Sequence, residues 1–247
     1  MSLVEAGIVV LAGLGAGTIN AVVGSGSLIT FPTLVWVGLS PVVANVSNTV
    51  GLVPGGISGA WGYRRELVGQ RGRLLRLGVG TLTGSVLGAS LLLVLPPSVF
   101  AAVVPALILL ACVLVVIQPW LVRRLADRPR HAHGGPLVWL AVFATGMYGG
   151  YFGAAQGVLL IAVLALGLDE TLQRVNAAKN VLAGLANLVA GVLFVIVADV
   201  HWVAAGLVAV GAAVGGLLGA RVARVLPPAG LRAAVVLIGI IAVVTLV

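Results

Sequence analysis

Charge is scarce in this chain: 8% of its 247 residues are Asp, Glu, Lys or Arg, against 61% apolar ones. So little polarity cannot cover the surface of a soluble domain, and the sequence reads as an integral membrane protein. Cysteine is almost missing too. Cys112 stands alone in an apolar stretch, which excludes an intramolecular disulfide and a cysteine metal cluster. Histidine is limited to His131 and His133 in a polar stretch and to an isolated His201, so no zinc ligand set is expected. Fourteen basic residues face six acidic ones, for a net charge of +8, but the arginines fall in short clusters between apolar runs. That pattern gives no continuous basic face for nucleic acid. No Asp, Glu or His lies well inside an apolar run, so neither an enzyme's nucleophile and base nor the carboxylate relay of many proton-driven carriers is in evidence. Met1-Ser2-Leu3-Val4-Glu5 lacks the basic start of a cleaved signal, and the first segment is expected to be retained. No cofactor or metal is expected. The expected partners are a small solute and the lipid bilayer, with oligomeric state left open.

What is present is a duplication. A shift of 131 positions lays Gly80, Gly84, Leu87, Gly88, Ala89, Val94, Leu95, Pro96 and Pro97 on Gly211, Gly215, Leu218, Gly219, Ala220, Val225, Leu226, Pro227 and Pro228. The same shift, without a gap, lays Gly26 on Gly157 and Asn45 on Asn176. Two repeats are therefore expected, 1–116 and 132–247, joined by a linker at 117–131. Apolar runs and breakers cut the first into segments at about 3–23, 27–39, 42–62, 75–95 and 98–117, and the second at about 136–153, 157–168, 172–198, 202–226 and 229–247. The fold class expected is an all-α polytopic membrane protein. The second segment of each half is too short for an ordinary helix to cross a core of about 30 Å, and reads as a half-helix or a tilted span.

Arginine placement gives the orientation, because cytoplasmic loops collect Lys and Arg. Arg64, Arg65, Arg71, Arg73 and Arg76 mark the loop after segment three as cytoplasmic, and Arg123, Arg124, Arg128 and Arg130 mark the linker. In the second half the loop after segment three carries only Asp199 and His201, while Arg221, Arg224 and Arg232 flank Pro227-Pro228. The two repeats are thus expected to be inverted, with an odd number of crossings each: either all five segments cross or the first two form a re-entrant pair. Both arrangements put the chain ends outside. The five tryptophans fall near segment ends, as interfacial indoles do. The glycine runs 51/55/59, 80/84/88 and 211/215/219 suit close helix packing.

Polar residues at membrane depth are costly, so they carry the functional signal. They gather at two places in each half. One is the break between segments one and two, Asn20-Ala21-Val22-Val23-Gly24-Ser25-Gly26-Ser27 and Gly149-Gly150-Tyr151-Phe152-Gly153-Ala154-Ala155-Gln156-Gly157. A half-helix starting there offers backbone N–H groups and a positive dipole end to an anion. Two such starts facing each other would make one central pocket, although tight helix crossing alone would also call for the glycines. The other place is the start of segment three. There Asn45 and Asn48 share a helix face, and Asn176, Lys179 and Asn180 share another. Lys179 is the only lysine, lies roughly 10 Å into its helix, and has no carboxylate within one turn. It either snorkels, pairs with Asp169 or Glu170 across a bend, or awaits a transported anion.

The run Asn-Ala-Val-Val-Gly-Ser-Gly-Ser-Leu-Ile-Thr-Phe-Pro with Ala-Asn-Val-Ser-Asn-Thr, together with Gly149–Gly157 and Val175-Asn176-Ala177-Ala178-Lys179-Asn180, resembles the TauE/SafE sulfite exporter family over essentially the whole chain. The resemblance implies transport of small sulfur-containing anions such as sulfite, sulfonates or sulfoacetate across a prokaryotic inner membrane. Alternating access between the repeats is the expected mechanism. Ser25, Ser27 and the Gly26 and Gly157 backbone would donate hydrogen bonds to the anion. Asn45, Asn48, Gln156, Asn176 and Asn180 would serve its remaining oxygens, and Lys179 would supply the charge. An anion channel or facilitator, or a non-transporting membrane subunit, is the alternative.

Overall fold

Several helix starts in this chain are written in residues that favour one. In the computed structural model, which describes residues 1–124, 135–223 and 229–246, the first helix, α1 (Leu3–Val22), opens on a capping box between Ser2 and Glu5. The helices α2 (Ser27–Trp36) and α3 (Pro41–Gly62) follow; α3 begins with an extended Ser40 and a proline in its first turn. Next come α4 (Arg71–Val94) and α5 (Pro97–Arg124). The second half runs α6 (Pro136–Tyr151), α7 (Gln156–Gly167), α8 (Leu172–Val197), α9 (Trp202–Val222) and α10 (Ala229–Leu246). Thr171 caps α8 by accepting from the Arg174 N–H, and the His201 ring nitrogen caps α9 by accepting from Ala204.

No strand interrupts this order among the described residues. Five helices, Leu3–Val22, Arg71–Val94, Pro97–Trp120, Leu172–Val197 and Trp202–Val222, are long and apolar enough to cross a membrane. Of the rest, α3 is long but diluted by Asn45, Ser47, Asn48, Thr49 and Ser58. With 10 and 12 residues, α2 and α7 reach only about 15 and 18 Å at 1.5 Å per residue. Leu11, Trp36, Trp61, Val94, Ile196 and Trp202 stand exposed on the outer surface, where lipid rather than water is the compatible neighbour.

Some helix limits differ from the sequence expectation; α2 and α9 stop a turn early, at Trp36 and Val222. Arg71, Arg73 and Arg76 lie in the first turns of α4, not in a loop, because arginine is a good helix former and Arg73 is anchored by Glu170. At the other boundary α5 runs on to Arg124, through the first residues expected of the linker. Arg128, Arg130, His131, His133 and Arg224 lie outside the described residues.

The helices exchange partners. Along its length α1 packs on α9, and α4 packs on α6, so the first helix of each half lies against the fourth of the other. At the centre α3 lies on α8, with α9 and α4 on their outer sides; α5 and α10 pack together and cover α7 and α2. The glycine runs make these seams. A Cβ at Gly215 would overlap the Leu14 carbonyl, and one at Gly84 the Phe143 carbonyl. Gly55 likewise leaves its space to Ala212, 2.8 Å from where its Cβ would stand. Packing is what these glycines do.

Candidate functional site

Between α1 and α2 the chain reverses at Gly24, whose φ of +92° suits only a residue without a Cβ. Between α6 and α7 it turns at Gly153, φ +77°, and then at Ala155, φ +58°. The 131-residue offset relates Gly24 to Ala155, so a left-handed position is glycine in one break and alanine in the other. The breaks touch each other at the centre of the molecule. The Gly157 N–H donates to the Gly24 carbonyl at 3.0 Å. A Cβ on either glycine would come 2.5 Å from the other's Cα.

Beside this contact lies a cavity of about 20 Å³, room for about one water. Asn20, Gly24 and Ser27 line it from the first break, Gly153, Gln156 and Gly157 from the second, Gly55 and Gly56 from α3, and Asn180, Ala183, Gly184 and Asn187 from α8. Its walls hold unused polarity. Gln156 is 3% exposed, and its amide nitrogen has no partner among the described residues. Asn187 makes no hydrogen bond there either. Just behind the wall, the buried Ser25 hydroxyl is likewise unpartnered.

Of the residues singled out in the sequence, Ser27, Gln156, Gly157 and Asn180 line the cavity directly. The Gly26 N–H donates to the Asn20 side-chain oxygen at 2.7 Å, and Gly157 is engaged with Gly24, so both backbone donors have protein partners in this conformation. Asn48 ties α3 to α2, donating to Ser27 Oγ at 3.3 Å and accepting from the Thr30 hydroxyl. Asn45 ties α3 to the second break, donating to the Tyr151 carbonyl at 3.0 Å. Asn176 does the matching thing at the first break, reaching the Ala21 carbonyl at 3.1 Å and the Tyr63 hydroxyl at 2.7 Å. Lys179 is fully buried and neither snorkels nor pairs with Asp169 or Glu170. Its ammonium donates to the carbonyls of Asn20, at 2.6 Å, and Ala21, at 3.2 Å, and its stem lies against Gly157.

Sequence reasoning passed over Asn20 and Asn187. Asn187 lies seven residues, two turns, beyond Asn180 on the same face of α8, so helical spacing was the available signal. Asn20 was quoted in the break, but nothing in sequence says that its side chain turns back onto the next helix start.

The cavity shares part of its lining with a groove toward one end of the molecule. Gly56, Asn180 and Gly184 also line a groove of about 420 Å³ between α3 and α8, with Trp61, Arg64 and Leu67 toward its far end. At that end Glu170 bridges Arg73, at 3.0 Å, and Arg174, at 2.6 Å, while Arg174 also donates to the Val68 carbonyl at 3.1 Å. Partial burial works to raise the Glu170 carboxyl, but the hydrogen bonds and charges of Arg174 and Arg73 outweigh it and hold the group below the usual carboxylate range.

The profile of the sulfite exporter TauE/SafE family matches residues 9–246. The chain is 27% identical over 216 residues to "Probable membrane transporter protein YfcA" of Escherichia coli strain K12, covering 87% of this chain and 79% of that protein. It is 25% identical to a "Probable membrane transporter protein" of Haemophilus influenzae, over 85% of this chain and 81% of that one. A Sinorhizobium sp protein, "Probable membrane transporter protein ORF9", is 24% identical over 84% and 79%. No solved structure matches.

Proposed function

The chain belongs to the sulfite exporter TauE/SafE family, and from that premise we propose that it carries small oxyanions of the sulfite, sulfonate or sulfoacetate class by alternating access around the cavity between the two breaks. The observation that carries this reading is the Gln156 amide, buried and unpartnered in a wall that two interrupted helices build together. A buried donor without an acceptor is costly, and a bound oxyanion would supply the acceptor. The unpartnered Ser25 hydroxyl, the Ser27 hydroxyl and the half-buried Asn187 amide add donors, with Asn180, Gly26 and Gly157 around them. Asn45, Asn48 and Asn176 hold the breaks in place around the anion. Lys179, against Gly157, supplies the positive potential.

A water-sized cavity does not hold sulfite, with four heavy atoms, so the site widens when it fills. Repeats 1–116 and 132–247, inverted about the α3–α8 contact and joined by 117–131, rock to do this. The arginine-rich loop after α3 and the linker face the cytoplasm, and both chain ends lie outside an inner membrane.

Thermal stabilisation by sulfite, thiosulfate, sulfoacetate, taurine and acetate tests the proposal, with wild type beside Gln156→Leu. A sulfur oxyanion that raises the melting temperature of wild type and not of the variant supports it. Equal shifts in both proteins would remove Gln156 from the site.

A further inference from the structure

A helix leaves its last carbonyls without intrahelical partners, and these carry the negative end of its dipole. At the end of α1 the carbonyls of Asn20 and Ala21 are in this position, and Ala21 is 1% exposed, so water does not serve it. Side chains from α3 and α8 do. The Asn176 and Asn180 amides donate to the Ala21 carbonyl at 3.1 and 3.2 Å, and the Tyr63 hydroxyl donates to it at 3.4 Å. The Lys179 ammonium then bridges Ala21 and Asn20. Glu170 pairs with Arg73 and Arg174, and Lys179 makes no ion pair among the described residues.

An ammonium held by peptide carbonyls at the end of a broken helix occupies the kind of place where carriers built on broken helices coordinate a monovalent cation. In the second half the equivalent place is neutral. The Tyr151 carbonyl takes the Asn45 amide, and Asn48, which the offset lays on Lys179, is turned to hydroxyls of α2. We propose that the Lys179 ammonium is the resident cation of the α1 end, filling a monovalent-cation position built from the Asn20 and Ala21 carbonyls, so that the carrier organises its site without a free sodium ion there. The consequence for transport rests on the carrier reading above; the cation position itself does not.

Purified wild type and Lys179→Ala are melted in choline, sodium and methylammonium chloride at equal ionic strength. The variant empties the position, and sodium or methylammonium is expected to raise its melting temperature over the choline value by roughly 2–4 °C once the cation reaches about five times its dissociation constant. Wild type is expected to melt alike in all three salts. Should Lys179→Ala fail to fold, Lys179→Ser keeps the space and adds an oxygen ligand. A folded variant that responds to neither cation more than wild type does overturns the proposal. In liposomes, uptake of radiolabelled sulfite by wild type is expected to persist when choline replaces sodium, and uptake that requires sodium also overturns it. Absence of sulfite uptake in either salt counts against the carrier reading, while the melting comparison still decides the cation position.

Discussion

The two breaks do the same job with different chemistry. At the end of α1, Ala21 is small, and its carbonyl gathers two amides, a hydroxyl and an ammonium. The offset lays Ala21 on Phe152, where aromatic packing joins the Asn45 amide in holding the second break: Phe152 meets Phe31 edge-on with centroids 5.3 Å apart, and Phe100 at 5.9 Å. One related position is thus organised by polar groups and charge, the other by apolar area. Across the 131-residue offset, the first break thus concentrates the charge and the second the aromatic core.

The sharpest way to break this comparison is to remove the aromatic anchor. Phe152→Ala is expected to cost about 3–5 kcal/mol of stability, the usual range for a buried phenylalanine, read from the melting of the purified protein. Gly24→Ala comes next. It forces a Cβ at positive φ against the Gly157 backbone, and a loss of about 2–4 kcal/mol is expected. The related swap, Ala155→Gly, relieves a left-handed alanine but deletes a buried methyl, so it should stay within about 1 kcal/mol of wild type. If the two swaps cost the same, the breaks are not held differently.

Lys179→Gln sharpens the comparison on the functional side. It should weaken binding of a stabilising anion by roughly tenfold or more, about the worth of a hydrogen bond to a charged group, while Asn48→Ala at the related position lowers stability but changes affinity less. Anion titrations followed by melting would read both.

The smallest effect is expected at the ends of the molecule. Glu170→Gln loses ion pairs that are partly exposed, and should cost about 0.5 kcal/mol or less. Because the Glu170 carboxyl sits below its ordinary value, its stabilisation is complete above the unfolded carboxylate range and is lost as pH falls through the lowered folded value. The variant should therefore flatten that acid limb of the stability profile and leave neutral pH nearly unchanged. At the opposite end the tie is neutral, from the His201 N–H to the buried Ser47 hydroxyl at 2.9 Å, and Ser47→Ala should leave the acid limb as steep as in wild type.

Helix number, the shortness of α2 and α7 and the packing glycines were legible in sequence, because apolar run length and small-residue spacing record them directly. The partner exchange that lays α1 on α9 and α6 on α4 was not, since either pairing satisfies the same glycine pattern. Lys179 shows the second kind of limit. A search for its partner among Asp and Glu misses Asn20 and Ala21, because their acceptors are backbone carbonyls that every residue carries. Glu170 is the converse case. Its spacing of four from Arg174 was readable, but its bond to Arg73 depends on how α4 meets the start of α8.

The proposed oxyanion sits between the two breaks. Soaking or co-crystallising the protein with selenite, a heavier analogue of sulfite, and locating selenium by its anomalous scattering tests it most directly. A peak beside Gln156 and Asn187, next to the Gly24–Gly157 contact, is expected. A peak confined to the groove at Trp61 and Arg64, or to the Arg73–Glu170–Arg174 corner, would contradict it.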